Sequence, residues 1–237
     1  MIPTYNERGH ITEVLTRMFA AVGSEVDAMV VDDASPDRTS DAVKAHPDAS
    51  RVTLVERPEK LGLARAYVDA FDHALAAEYE FVVEMDADLS HDPADIPQLL
   101  AALSQAELVV GSRYIAGGRI ENWSLMRRAL SRAGNAYARL WFGWGVRDAT
   151  SGFRAYRAGA LRAAGLDTLR SDGYAFQIEM VFRTLRARLR VREVPITFVE
   201  RLGGRSKLSR RIVLEALWRV PGWGLRYRIG RLKSRSG

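Results

Sequence analysis

The chain has 237 residues, 47% of them hydrophobic, no cysteine and a formal net charge of +6. That length and apolar fraction suffice for one α/β core, and the lack of cysteine excludes disulfides and thiolate metal sites and fits a reducing compartment, the cytoplasm. No apolar run reaches the roughly 18 to 20 uncharged residues that span a bilayer, and no basic stretch followed by an apolar one opens the chain, so neither a membrane span nor a secretory signal is expected.

Charge is unevenly spread. Residues 201–237 carry eleven Lys or Arg against one acid, Glu215, a local +10 that leaves −4 for residues 1–200. A tail this basic meets an anionic partner, whether nucleic acid, lipid headgroups or a phosphorylated substrate.

The first half alternates β-branched runs with helical periodicity, the pattern of a doubly wound, mostly parallel sheet. Met1-Ile2-Pro3 leaves little room for a strand ahead of Thr4-Tyr5-Asn6-Glu7, so either a short strand suffices or residues precede Met1. Ile11, Val14, Leu15, Met18 and Phe19 recur at helical spacing after Asn6, a candidate cap. Met29 to Val31 reads as a buried strand ending at Asp32-Asp33, Val52 to Val55 as another, Ala64 to Ala77 as a helix, and Phe81 to Val83 as a strand running into Met85-Asp86. Pro93 suits the first turn of a helix whose buried face carries Ile96, Leu99, Leu100 and Leu103. Leu108 to Val110 follows as a strand.

Beyond about residue 114 the pattern turns irregular, with Gly117-Gly118, a helix from about Ser124 to Phe142, and a small, polar stretch from Asp148 to Arg157. A last apolar stripe of Ile212, Val213, Ala216, Leu217 and Val220 is expected to stop at Pro221. Trp141 and Trp144 suit a core or a membrane interface, and His10, His46 and His73 lack ligand spacing and read as surface residues.

Polar clusters follow the strands, where open α/β sheets bind ligands: Thr4 to Glu7, Asp32 to Thr39, Asp86 to Asp92, and Gly111 to Arg113. Asp86 and Asp88, one residue apart after a buried strand, can project to one side of an extended backbone. There they can share a hard cation, Mg²⁺ or Mn²⁺, that bridges donor phosphates and offsets charge on a leaving diphosphate. The same pattern also caps helices and decorates turns, so its meaning depends on its neighbours. Asp32 and Asp33 offer acceptors for a base N–H or a ribose hydroxyl, and equally suit a loop in which Ser35 or Asp37 caps a helix starting at Arg38. Lys60, near Gly62 at a helix start, suits either a phosphate contact or an exposed turn. No Gly-x-Gly-x-x-Gly or Walker sequence accompanies these loops.

In order, Pro3-Thr4-Tyr5-Asn6-Glu7, Val31 to Thr39, Asp86-Ala87-Asp88-Leu89-Ser90-His91 and Gly111-Ser112-Arg113-Tyr114 resemble inverting glycosyltransferase family 2, whose members have a GT-A fold. The second half is similar to the polyprenol (dolichol) phosphate mannose synthases of that family: Trp123 with Arg127 and Ser131, Ser151 to Tyr156, Gly173 to Gln177, Pro195 to Phe198, and Arg201 with Gly204 to Leu208. The resemblance runs from Pro3 to about Leu208.

It implies a GT-A domain over residues 1–208, an α/β Rossmann-like sheet flanked by helices; the basic, amphipathic composition of residues 209–237 points to a tail that associates with a membrane. It places Pro3, Tyr5, Glu7, Asp32, Asp33 and Lys60 around the donor nucleotide, with Asp86, Ala87, Asp88, Arg201 and Lys207 at its diphosphate. Asp86 and Asp88 become ligands of Mg²⁺ or Mn²⁺. Arg127 and Ser131, assisted by Arg113, receive the acceptor phosphate, and Asp88, Arg127 and Arg201 stand nearest the chemistry. Where the family often has Gln two positions after the second Asp this chain has Ser90, a shorter and weaker ligand, which leaves the third position to Ser90, water, His91 or Gln177. The implied reaction is inverting transfer of mannose from GDP-mannose to a polyprenyl (dolichyl) monophosphate, at the cytoplasmic face of a membrane with anionic headgroups. No nucleic acid is expected as partner. The alternatives are transfer from UDP-glucose or another UDP-sugar to the same lipid and, more remotely, an inactive membrane-docked binding protein, for which Ser90 is the one argument. Trp218, Trp223 and Tyr227 among the tail's cations favour an interfacial role over a helix packed on the domain.

Overall fold

Short β-branched runs build the centre of the molecule. The computed structural model describes residues 1–169, 171, 173–200 and 218–227; Arg201, Lys207 and most of the apolar tail stripe lie outside the described residues. Strands β1 (Ile2–Thr4), β2 (Ala28–Asp32) and β3 (Val52–Glu56) pair in parallel, with Ile2 opposite Val30 and Val30 opposite Leu54. Strands β4 (Phe81–Glu84), β5 (Leu108–Ser112), β7 (Arg154–Arg157) and β8 (Val191–Pro195) take the order β4-β7-β5-β8, in which β7 runs antiparallel to both neighbours and β8 parallel to β5. Met1 joins the two groups: its nitrogen donates to the Val83 carbonyl at 2.6 Å and its carbonyl accepts from Met85 N–H at 3.1 Å. Every residue of β2 and β5 is buried, as expected of strands covered on both faces. A separate parallel pair, β6 (Arg119–Glu121) and β9 (Thr197–Val199), lies beyond the end of β5 and β8.

Helices cover both faces. Ile11, Val14, Leu15 and Met18 of α1 (Arg8–Ala21) and Ile96 and Leu99 of α4 (Ile96–Ala102) share one core with Val30 and Val109. The other core joins α3 (Leu63–Ala76), α5 (Leu125–Phe142), α6 (Ala158–Ala164) and α7 (Gly173–Arg186) through Phe71, Phe142, Leu161 and Phe176. Each such fully buried side chain contributes roughly 1.5–3 kcal/mol. α2 (Thr39–Lys44) closes the loop after β2.

Four local expectations are corrected. Asn6 does not cap α1; it takes φ of 60°, and Asp37 from the next loop accepts Arg8 N–H at 3.0 Å and, through its other oxygen, Thr39 N–H at 3.0 Å. The helix after Pro93 is split, a 3₁₀ turn over Pro93–Asp95 preceding α4. His46 is buried rather than superficial, held by Thr16 at 3.1 Å and by Asp48 N–H at 3.1 Å. Pro221 does not end the tail helix, because residues 218–227 are helical through it. Packing on the domain offsets the missing N–H: Val220 and Tyr227 are buried, the Trp223 ring stacks 6.1 Å from Phe182, and a Cβ on Gly224 would stand 2.8 Å from Trp141. Trp144 lies in the same core, stacked 4.0 Å on Phe142. Among the described residues no helix is long and apolar enough to cross a membrane.

Candidate active site

The loops at the carboxyl ends of β1, β2 and β4 converge. Asp32 accepts from the hydroxyls of Thr4 (3.1 Å), Ser35 and Ser40 (2.7 Å), while Asp33 accepts from Arg57 Nη1 (2.9 Å), Leu61 N–H (2.9 Å) and Gly62 N–H (3.0 Å). Both carboxylates therefore shape these loops. Lys60 sits with its Nζ 3.4 Å over the Tyr5 ring, so these two expected donor residues are brought together. Glu7 is buried beside His10 at 3.4 Å, its N–H donating to Thr39, and Pro3 is half-buried within β1.

After β4 Ala87 turns into the core while Asp86 and Asp88, its neighbours in the chain, stay half-buried. Leu89, at φ of 61°, then folds the loop back. Asp88 accepts Ser90 N–H at 3.1 Å, and Asp86 N–H donates to His91 Nδ1 at 3.3 Å. Burial lowers the His91 imidazole to about 4 against the pull of Asp88. The ring is neutral, packed 5.0 Å from Phe153 and 5.3 Å from Phe198, and braces the loop through the nitrogen that faces Asp86.

Among the described residues no group of three or more His, Cys, Asp or Glu is placed to hold a metal, so a cation at Asp86 and Asp88 would need amide, hydroxyl, water or donor-phosphate oxygens as further ligands. Gln177 fits. It is 4% exposed, its buried Oε1 has no hydrogen-bond partner, and its side chain bonds Glu84. A Cβ on Gly152 would stand 3.5 and 3.7 Å from the Asp86 oxygens and 3.8 Å from Gln177 Nε2, so the bare glycine leaves a cradle that both groups border. A buried carbonyl left unsatisfied costs about 1–3 kcal/mol, and a hard divalent cation favours such oxygens. Ser90, buried next to Asp88, ties the loop to β9 by accepting Val199 N–H at 3.1 Å through its carbonyl. Beneath the cradle Arg154, fully buried, donates to the carbonyls of Ser151 (2.7 Å), Ala149 (2.7 Å) and Gln177 (2.8 Å). Burial pushes the neighbouring Glu84 carboxyl up to about 8 against the pull of Arg154.

A second constellation faces this loop from β6, α5 and β9. Arg127 pairs with Glu200 and lies 4.3 Å over the Trp123 ring, which the Arg113 guanidinium approaches at 5.3 Å. The Tyr114 hydroxyl donates to Ser131 Oγ at 2.7 Å. Arg113 was expected at the acceptor phosphate, yet its guanidinium is bound to buried Asp148 at 2.7 Å through both Nε and Nη2, and Asn135 bridges Ser131, Thr150 and Asp148 from α5. Burial raises the Asp148 carboxyl, but the Arg113 charge and hydrogen bonds outweigh that and hold it below the usual carboxylate range. Gly118 lets the following turn fold against β5: a Cβ there would stand 2.6 Å from the Ser112 carbonyl. Sequence reasoning named Arg113, Arg127 and Ser131 but missed Asp148, Asn135, Glu200 and Arg154. Asp148 and Arg154 lie in the small, polar stretch already noticed, whereas nothing local marks Glu200.

A mostly parallel sheet covered on both faces, with an Asp-X-Asp loop at the carboxyl end of a central strand and a cationic wall opposite, defines a GT-A glycosyltransferase. Residues 1–165 match glycosyl transferase family 2, and the chain belongs to that family. It is 48% identical over 239 residues to the undecaprenyl-phosphate mannosyltransferase of Micrococcus luteus, covering 100% of this chain and 98% of that one. It is 42% identical over 236 residues to the polyprenol monophosphomannose synthase of Mycolicibacterium smegmatis, covering 98% and 89%. Among solved structures, glucosyl-3-phosphoglycerate synthase from Mycobacterium tuberculosis with Mn²⁺ and UDP-glucose superposes with a TM-score of 0.68 at 22% identity, covering 93% of this chain and 77% of that one.

Proposed function

We propose that the enzyme transfers a mannosyl group from GDP-mannose to a polyprenyl monophosphate with inversion at the anomeric carbon. The supporting observation is the pairing of two sites: the Asp86/Asp88 loop, and a wall in which Arg127 lies over Trp123 and Ser131 bonds Tyr114, tied to that loop by the Ser90 to Val199 hydrogen bond. The names of the two close relatives favour mannose and a polyprenyl phosphate over the alternatives.

The donor nucleoside lies against Pro3, Tyr5 and Glu7, in loops shaped by Asp32 and Asp33, with Lys60 at the rim. Asp86 and Asp88, with Gln177, would hold Mg²⁺ or Mn²⁺, which when bound neutralises charge on the diphosphate leaving group. Arg201 and Lys207, outside the described residues, are assigned to the same phosphates. On the other side Arg127 releases Glu200 to take the acceptor phosphate, with Ser131 as a second donor. A phosphate monoester, with a second pKa of about 6, is largely ionised at neutral pH and attacks without a general base. The protein's work is to align nucleophile and leaving group, to offset two clusters of negative charge and to exclude water. The enzyme works peripherally on the cytoplasmic face, where its acceptor resides.

The test offers purified protein GDP-mannose or UDP-glucose, a polyprenyl phosphate, and Mg²⁺, Mn²⁺ or a chelator. Mannosyl lipid formed only with the cation is the expected result. Glucosyl transfer instead would reassign the donor, and transfer of neither sugar would end the proposal.

A further inference from the structure

Buried backbone outside helix and sheet has no ladder in which to pair its carbonyls. The stretch from Arg147 to Phe153 lies outside both, and Asp148, Ala149 and Ser151 within it are buried. Its start is fixed by Glu193 of β8, whose two oxygens accept the N–H groups of Arg147 at 2.9 Å and Asp148 at 2.8 Å. Its end is fixed by Gly111 N–H, which donates to the Phe153 carbonyl at 2.8 Å. Between these points the stretch serves two pockets. Asp148 and Thr150 bind the acceptor wall, where Thr150 Oγ1 accepts from Arg113 Nη2 and from Asn135 Nδ2, both at 3.0 Å. Gly152, two residues on, borders the cradle of Asp86 and Gln177. The carbonyls of Ala149 and Ser151 go to one side chain, Arg154, through Nη2 and Nε at 2.7 Å each.

We infer that Arg154 is a positioning residue that sets the divalent-cation cradle and the acceptor-phosphate pocket from a single point. Being fully buried, it acts on both ligands through other groups and touches neither. Its planar fork sends N–H groups in several directions at once, to two carbonyls of the 147–153 stretch and, through Nη1, to the Gln177 carbonyl of α7 at 2.8 Å. A lysine ammonium, a point charge on a flexible stem, does not reproduce that spread. Glu84 extends the hold. It lies opposite Arg154 in the register of β4 and β7, 3.5 Å from Nε, and takes a hydrogen bond from the Gln177 side chain. Arg154 therefore fixes Gln177 at its carbonyl directly and at its amide through Glu84, which leaves the buried Oε1 as the unpartnered acceptor. The same guanidinium holds the backbone on either side of Thr150, and with it the seat of Arg113 and of Asn135, whose side chain reaches the Ser131 carbonyl at 3.1 Å. The inference rests on the proposed reaction, which supplies the two ligands.

The test titrates the full chain, without donor, in two separate experiments: with Mn²⁺ alone, and with geranyl phosphate in the presence of a chelator. Arg154→Lys keeps a charge beside Glu84, and its fold is checked by melting and near-UV circular dichroism. It should weaken each ligand by about 10–100-fold, the usual effect of losing a group that holds ligands from behind. Gln177→Leu should weaken Mn²⁺ only, and Arg127→Lys geranyl phosphate only, which shows that the two pockets can be damaged separately. If Arg154→Lys does not fold, Arg154→Met/Glu84→Gln, which leaves neither charge buried, replaces it with the same expectation. A folded variant that melts lower yet binds both ligands as tightly as wild type, or failure of both variants to fold, would make Arg154 a residue of the fold alone and overturn the inference. Weakening of one ligand without the other overturns it too, by confining Arg154 to one pocket, and so does a wild type that ignores either probe. A wild type that binds both probes and transfers no sugar would defeat the proposed reaction and leave this inference to be judged by the variants.

Discussion

The donor loops and the acceptor wall are built on different plans. Contacts on the donor side mix near and distant partners: Asp32 gathers Ser35 and Ser40 and also Thr4, 28 residues away, and Asp37 gathers Thr39 and also Arg8, 29 residues away. Across the site the key pairs are far apart in sequence, Arg113 with Asp148 and Arg127 with Glu200 being separated by 35 and 73 residues. Both sides are completed only in the folded chain, and the wall draws on the longer separations. Damage to the wall should therefore reach furthest along the chain.

The strongest challenge to that contrast is Asp148→Ala, which strands the buried Arg113 guanidinium. It should cost about 3–5 kcal/mol in urea unfolding, whereas Arg113→Met/Asp148→Leu together should cost far less. The pair also sets a pH dependence. The Asp148 carboxyl titrates below its ordinary value in the folded protein, so its stabilisation is complete above the usual carboxylate range and drains as pH falls through it. Wild type should lose stability on acidification more steeply than Asp148→Asn. Next in size, Asp86→Ala or Asp88→Ala should lower kcat by about 10²–10³. The melting temperature should move only slightly, since both side chains are half-buried at a loop end; a large fall would mean that the loop is structural. Gln177→Leu should weaken Mn²⁺ binding by about 10–100-fold in titrations of the protein alone, and unchanged affinity would remove Gln177 from the ligand set. Arg127→Lys should raise KM for the lipid phosphate by about tenfold with a smaller change in kcat, because a point charge replaces a bidentate fork. Smallest of all, Asp37→Ala should cost about 1 kcal/mol through the lost cap and leave activity nearly intact.

The same contrast explains what was legible beforehand. Buried strands such as Met29 to Val31 and Leu108 to Val110 announce themselves, because both faces of the sheet are covered and every position is apolar or small. The outward placement of Asp86 and Asp88 about buried Ala87 was readable because period-two alternation is a local rule. The cap of α1 was misread because its carboxylate, Asp37, comes from a different loop. Pro221 was misread because propensity was weighed without the aromatic packing of Trp223 and Tyr227. Glu200 was missed because an acid before an Arg carries no local signal.

Strand β7 has a consequence for how the protein is made. It lies between β4 and β5 in the sheet but follows both in the chain, pairing with β4 over Arg154–Arg157 and with β5 over Arg154 to Tyr156. A nascent chain that has not yet reached it holds two open edges about 9.5 Å apart, twice the spacing of neighbouring strands. Such edges recruit other strands, so an amino-terminal fragment ending before Arg154 should aggregate during synthesis rather than persist as a separate nucleotide-binding unit. Supplied with a peptide spanning residues 148–200, the same fragment should be rescued, the missing strand closing the sheet from outside.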